Sequence, residues 1–355
     1  MKKAVYNTNG KGTAMTLRGY WIRTTNYEFW PFWLFYIPAY FYYVFLAIKS
    51  RSILYFTKLN SGMKFGGAIL SSKIEILSQL PDRLIPKTIL INPSDSFETI
   101  NQCRLFNRIA FPMIAKPDNA ERGKGVHKLE NENDLKRFVQ KIKQQTYLIQ
   151  EFVSYPIELG ILVYKTQTGD LHITSMCEKS FCSVTGNGKS TLGDLILKDF
   201  RVAHRIPYFK TKYQDEWNNV LQKGKTVIIE PIGNHNLGTR FCNANHRINK
   251  DVYRWLKTFI MYLPEFDYGR IDMKIANWEA FKDDKGIKIL EINGVNAEPI
   301  HIYDENQSID QAYKSIFHHM NVIYQLSKEK QIKTPYSFYD FLKGSYTIIT
   351  QKNIC

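Results

Sequence analysis

Two apolar strands that must pair with each other constrain this chain more than any other feature. GRIDMKIANW (269–278) and GIKILEING (286–294) are separated by a turn containing Asp283-Asp284-Lys285-Gly286, and their alternation of apolar and polar positions is that of strands closed into a hairpin. Side chains repeat every second residue along a strand. Glu291 and Asn293 therefore share one face of theirs, and Arg270 and Asp272 share one face of the other. Polar groups on buried strands are costly unless they are paired or used. Two carboxylates and an amide oxygen make a hard-oxygen set suited to Mg2+. Arg270 adds a permanent cation able to stabilise a transferring phosphoryl group or a developing oxyanion. A structural salt bridge on a hairpin is the plainer alternative.

The rest of the chain after Lys73 alternates helix and strand patterns. TILI, FPMIAKP, YLIQEFV and ELGILVYK read as strands, and SFETINQCRLFN and NENDLKRFVQKIKQQ read as helices. TVIIE, a helix in DVYRWLKTFIMYL and the hairpin are expected to build a second sheet, followed by a last long helix over about 310–327. The class expected is α+β.

Within FPMIAKPDNAERGKGV a strand delivers Lys116 at its end and a loop of Arg122, Gly123, Lys124 and Gly125 follows. A strand end fixes an ammonium, and glycines let backbone N–H groups approach phosphate oxygens; an ordinary surface turn is the alternative. About thirty residues on, the backbone around Gln150, Glu151 and Val153 could meet an adenine edge. Glu158 then stands in an apolar run as a ribose acceptor or as a strand-edge carboxylate. TGNGKST (185–191) imitates the end of a P-loop, but the full pattern needs glycine at position 183, where Ser183 stands.

Composition limits the partners. The 355 residues carry a net charge of +15, which suits an anionic partner, yet no nucleic-acid-binding module is recognisable and none is expected to bind. Five cysteines without a C-x-x-C pair signal neither a disulfide framework nor a zinc site, which fits a reducing compartment. The run from Phe29 to Ile48 has no charge and is rich in Trp and Tyr, with Arg18 and Arg23 before it and Lys49 and Arg51 after it. Pro31 and Pro38 interrupt it. It reads either as a segment meeting a membrane surface or as a buried aromatic core or oligomer interface.

Taken in order, these segments resemble the ATP-grasp superfamily, in the style of D-alanine:D-alanine ligase and related carboxylate-amine ligases, over roughly Lys73 to Leu326. The resemblance implies two α+β lobes clasping ATP. The phosphates would meet Lys73, Lys116 and the loop Arg122 to Gly125, the adenine would meet Gln150, Glu151 and Val153, and the ribose would meet Glu158. R-x-D and E-x-N are matched by Arg270, Asp272, Glu291 and Asn293, the last three as metal ligands, with Arg270 and Lys116 catalytic. It implies ATP with two Mg2+ ions, Mn2+ being an alternative, and ADP-forming amide synthesis through an acyl phosphate from a carboxylate and an amine. Lys189, His235 and Arg240 are further candidates for substrate or phosphate contacts, and His301 is left without a role. The implied organisation is an aromatic segment over 1–62 in place of the usual α/β lobe and a remnant lobe over 63–110 carrying Lys73. A central lobe over 111–165, a carboxy-terminal lobe over 166–330 and a tail over 331–355 follow. A cytoplasmic protein, at the cytoplasmic face of a membrane if the aromatic segment docks there, is expected, with an amphiphilic or membrane-borne substrate. A membrane-docked nucleotide-binding protein without ligase turnover is the alternative.

Overall fold

The computed structural model describes residues 21–22, 24–119, 125–142, 145–230 and 238–352. Contacts divide the chain into two units, Met1–Pro38 with Lys179–Phe241, and Ala39–Glu178 with Cys242–Cys355. The strands are β1 (Thr88–Ile91), β2 (Met113–Pro117), β3 (His127–Leu129), β4 (Tyr147–Glu151), β5 (Ile157–Lys165), β6 (Leu171–Ser180), β7 (Cys182–Thr185), β8 (Thr226–Glu230), β9 (Arg240–Asn243), β10 (Tyr268–Ile275) and β11 (Ile287–Asn293). They form a four-stranded sheet in the order β1-β4-β2-β3, a five-stranded sheet β11-β10-β5-β6-β9 and a two-stranded sheet β7-β8. The pairings among β1 to β4, of β10 with β5 and β11, and of β7 with β8 are antiparallel. With helices between rather than across them, this is a mixed α+β architecture.

The four-stranded sheet lies in the larger unit. Its apolar face, Ile89, Ile91, Met113, Ala115 and Ile149, is covered by Ile100 and by Leu135 and Phe138. These come from helices Phe97–Phe106 and Glu132–Val139, which begin where the sequence supplies side-chain caps: Ser96 accepts from Thr99 N–H and Asn131 from Asp134 N–H. The second helix also has acidic residues in its first turn and basic ones in its last, complementing its dipole.

The five-stranded sheet is the frame of the candidate site. Leu159, Ile161 and Val163 of β5 and Ile271, Met273 and Ile275 of β10 pack with Val252, Trp255, Leu256 and Phe259 of helix Lys250–Phe259. Those four helical positions follow the i, i+3, i+4, i+7 rule. Each such fully buried side chain contributes about 2 kcal/mol. The residues between them on β5 and β10 point to the opposite face, and that face carries the polar groups.

One expected pairing differs. TVIIE, as β8, does not join the hairpin sheet; it pairs with β7, Cys182 opposite Glu230 and Thr185 opposite Thr226. The smaller unit closes around that ribbon with Val184, Ile196, Val202, Phe209 and Ile229, and a buried ion pair joins Glu28 to Arg201. Strand propensity identifies a strand but carries nothing about which partner it will find. The P-loop imitation also resolves into ordinary structure: Thr191 caps helix Leu192–Lys198 in a capping box with Asp194.

The aromatic run folds into short helices, Phe32–Phe35 and Ile37–Ser50. Among the described residues no helix is long and apolar enough to cross a membrane. Helix Ile37–Ser50 buries Leu46 and Ala47 with Tyr55 and Tyr324, while several of its rings stay exposed. After it, Asn60 is fully buried and acts as a clamp. Its side chain donates to Gly66 O and Tyr268 O and accepts from the N–H groups of Asp267 and Tyr268. Gly67 sits so close to Gly294 that a Cβ there would lie 2.6 Å from Gly294 Cα. Within the expected tail, residues Phe338–Lys352 form a helix.

Candidate active site on the five-stranded sheet

Asp272 and Glu291 are directly opposite each other on β10 and β11, and Arg270 is opposite Asn293. A bulge between Asp272 and Met273 shifts the register, which lets the hairpin present Glu291 and Asn293 on the polar face while Ile289 and Ile292 stay in the core. Arg270 grips Asp272 with both ends of its guanidinium, Nε to Oδ1 at 2.9 Å and Nη2 to Oδ2 at 3.3 Å. Its third nitrogen donates to Glu298 O at 3.3 Å. Burial disfavours the Arg270 charge, but attraction and hydrogen bonding from Asp272, with help from Glu291 and Glu298, outweigh it and hold the guanidinium protonated well above its ordinary range. Asn293 Nδ2 donates to Asp272 Oδ2 at 3.3 Å.

The room for this pair comes from β5. Gly160 is opposite Asp272, and a Cβ at Gly160 would lie 2.9 Å from Asp272 Oδ1 and 2.7 Å from Ile300 Cδ1. Two residues along, Glu158 stands opposite Lys274, buried like Asp272.

Two lysines approach the same carboxylates. Lys116, in β2, donates from Nζ to Leu290 O at 2.9 Å. Lys73 starts helix Lys73–Leu77, which Ser72 caps and Asp118 holds by accepting from Ile74 N–H. Its Nζ lies 3.4 Å from Glu291 Oε1 and donates to Asp118 O at 3.1 Å. Burial, reinforced by Lys73, lowers the Lys116 pKa to about 8, against the opposing pull of Glu291, Asp272 and Glu158. Arg270, Lys73 and Lys116 thus stand among the three carboxylates Asp272, Glu291 and Glu158 at one end of the sheet, so the charges of the site balance.

The stretch expected to meet adenine lies where the chain leaves β4. Gln150 is buried, its amide donating to Thr88 Oγ1 at 2.9 Å, and the Glu151 carboxylate accepts from Lys87 N–H at 3.2 Å. The Gln150 side chain is thereby engaged with β1 and that of Glu151 with the residue just before that strand. Val153 is buried, and its carbonyl accepts from Lys274 Nζ at 3.1 Å. Arg122, Gly123 and Lys124 lie outside the described residues. Gly125, at φ 69°, packs on Pro117.

Lys189 and Arg240 belong to the smaller unit. Lys189 is exposed after β7, and Arg240 pairs loosely with Asp199 at 4.0 Å. His235 lies outside the described residues. His301 is buried; its Nδ1 is 2.6 Å from Ser175 Oγ and its Nε2 is 3.4 Å from Ser315 Oγ. Burial lowers its pKa, so it is neutral at neutral pH.

Sequence reasoning missed Gly160, Lys274 and Asp118. Lys274 was within reach, because it continues the period of two that relates Arg270 to Asp272. Gly160 becomes meaningful only once β5 is known to lie beside β10.

The donor chemistry fits a hard divalent cation. Among the described residues no three His, Cys, Asp or Glu side chains form a ready cage. Mg2+, however, takes only one or two carboxylates from protein and completes its shell from phosphates and water. Asp272, Glu291 and the Asn293 amide match that need, and the 3.4 Å contact between Lys73 and Glu291 is loose enough to yield.

No family model matches the chain, and no curated protein matches it either. Among solved structures three distant likenesses are found. D-alanine–D-alanine ligase from Bacillus anthracis matches at 9% identity and TM-score 0.41 over 73% of this chain and 67% of that one. The D-alanine–D-alanine ligase from Coxiella burnetii matches at 10% identity and TM-score 0.42 over 78% and 61%. An ADP complex of N5-carboxyaminoimidazole ribonucleotide synthetase matches at 11% identity and TM-score 0.39 over 70% and 51%. These are distant likenesses that span from about half to two thirds of those chains, and the functional reading rests on the site itself.

Proposed function

We propose that this protein is an ATP-dependent carboxylate-amine ligase. The observation that carries the reading is the convergence of Lys73 and Lys116 on the strand pair that bears Arg270, Asp272, Glu291 and Asn293. ATP lies with its adenine at the backbone of Gln150 to Val153, its ribose toward Glu158 and its phosphates toward the two lysines and the loop Arg122 to Gly125. Asp272, Glu291 and Asn293 would hold Mg2+, as two ions or with Mn2+ in their place, and the metal would supply Lewis-acid neutralisation of phosphate charge. Lys116 and Arg270 stabilise the phosphoryl group as it moves to a substrate carboxylate, because fixed cations cost no reorganisation at that moment. The acyl phosphate reacts with an amine to give an amide, with ADP and phosphate released. The aromatic run supports an amphiphilic or membrane-borne substrate.

The test is ADP release in the presence of candidate acids and amines, supplied singly and together. Release that requires both partners is the expected result. Nucleotide binding by calorimetry with no release under any pairing would favour a nucleotide-binding protein without ligase turnover.

A further inference from the structure

Tyr40, Phe41, Val44, Phe45 and Ile48 of helix Ile37–Ser50 are 48, 74, 53, 54 and 73% exposed. Their spacing of mostly three and four residues sets them along one stripe. The fold uses the other side of that helix, where Leu46 and Ala47 pack with Tyr55 and Tyr324. Helix Phe338–Lys352 repeats the pattern, with Phe338, Tyr339, Leu342 and Tyr346 all more than half exposed. Phe56 links the two, its ring 6.4 Å from Tyr43 on the first helix and 6.1 Å from Phe341 on the second. Ile53, also exposed, follows the end of the first helix. Single exposed apolar residues are ordinary on a protein surface; two stripes of large apolar side chains, on helices that share Phe56 as a packing partner, are not.

Charge selects the partner. From Phe29 to Ile74 the sequence has no Asp or Glu, and its only charged residues are Lys49, Arg51, Lys58, Lys64 and Lys73. Lys49 and Arg51 are exposed at the end of the first helix, with the Lys49 ammonium 5.9 Å from the Phe45 ring centroid. Phe and Tyr rings beside Lys and Arg are the composition of a helix lying in the headgroup region of an anionic bilayer. The helix has 14 residues, about 21 Å at the usual rise, too short to span the hydrocarbon core.

We propose that this two-helix face docks the protein on an anionic lipid surface, with the rings at the boundary of headgroups and acyl chains and Lys49 and Arg51 against lipid phosphates. The docking does not depend on the ligase reading. Flotation of the full chain with phosphatidylcholine vesicles, with and without phosphatidylglycerol, tests it. The intact protein is expected to float with the anionic vesicles at low salt and to be released as salt rises. The double variant Phe41→Asp/Phe45→Asp and, separately, Lys49→Glu/Arg51→Glu are each expected to weaken binding by about tenfold or more. Thermal unfolding should stay unchanged, because the substituted side chains lie largely outside the core. An intact chain that stays unbound to anionic vesicles at low salt overturns the proposal. So does an intact chain that is oligomeric by light scattering and becomes monomeric in Phe41→Asp/Phe45→Asp while vesicle binding persists, since the face would then be covered by a second copy.

Discussion

Lys116 Nζ donates to the carbonyl of Leu290 at 2.9 Å, so a lysine on the four-stranded sheet is fastened to the residue just before Glu291 on the five-stranded one. The two sheets therefore meet beside the Glu291 carboxylate, and the ammonium bound there belongs to both. Its lowered pKa of about 8 is the signature of that burial.

The pH dependence follows from the sign of that shift. In the unfolded chain Lys116 titrates near its ordinary value of 10.5, so between pH 8 and 10.5 the unfolded state binds more protons and stability rises with pH. Below pH 8 both states are protonated and the full burial cost, about 3 kcal/mol, is present. Lys116→Met should remove this rise, read as the difference in Tm between pH 7.5 and pH 9.5 for the two proteins.

Polyphosphate near Lys116 should raise its pKa again. ATP binding at pH 8.5 is then accompanied by proton uptake, visible in calorimetry as a binding enthalpy that changes with buffer ionisation enthalpy. Lys116→Ala should lose that uptake and bind ATP more weakly. Equal affinity and equal proton uptake in the variant would remove the phosphate role from Lys116.

Glu291→Gln and Asp272→Asn should both lower ADP release by a hundredfold or more, about 3 kcal/mol of lost phosphate neutralisation. They should differ in stability. Glu291 is partly exposed and held only loosely by Lys73, whereas Asp272 is the bidentate partner of a buried Arg270. Asp272→Asn leaves that cation uncompensated, a cost of about 3 kcal/mol, so its Tm should fall while that of Glu291→Gln stays near the parent value.

Gly160→Ala tests the geometry without touching a charge. The new methyl meets Asp272 Oδ1 and Ile300 Cδ1 inside ordinary contact distance, which must displace the carboxylate. Metal dependence of ADP release should shift to higher Mg2+ concentration, and a parent-like Mg2+ curve would count against Asp272 as a ligand.

Much of this was legible in the sequence, for definable reasons. Within R-x-D and E-x-N themselves the period of two predicted that Glu291 and Asn293 share a face, and β10 and β11 do pair as a hairpin, whereas the bulge that sets Ile289 and Glu291 on opposite faces does not follow from that period. What stayed hidden required partners distant in sequence. β5 pairs with β10 more than a hundred residues later, so neither the space made by Gly160 nor the bond from Lys274 to Val153 follows from local pattern. β8 has a strand composition that fits the hairpin sheet as well as it fits β7, and only tertiary packing chooses.

Asn60→Ala should be among the more damaging single changes outside the site. Its buried side chain satisfies two carbonyls and two N–H groups, and leaving several of them unpaired costs about 3 kcal/mol or more. Chemical denaturation should show a lower midpoint with an unchanged m-value.

The Asn60 clamp also bears on where the chain can be cut. A shortened protein beginning at Lys73 looks reasonable from the motifs, all of which lie downstream. It would strip Asp267 and Tyr268, at the start of β10, of three hydrogen bonds to the Asn60 side chain and Gly294 of the backbone that seats against it. Asn60 and the Gly66–Gly67 backbone are thus a keystone of the sheet, and a truncated chain that fails to bind nucleotide would be reporting a broken scaffold, not a missing substrate subsite.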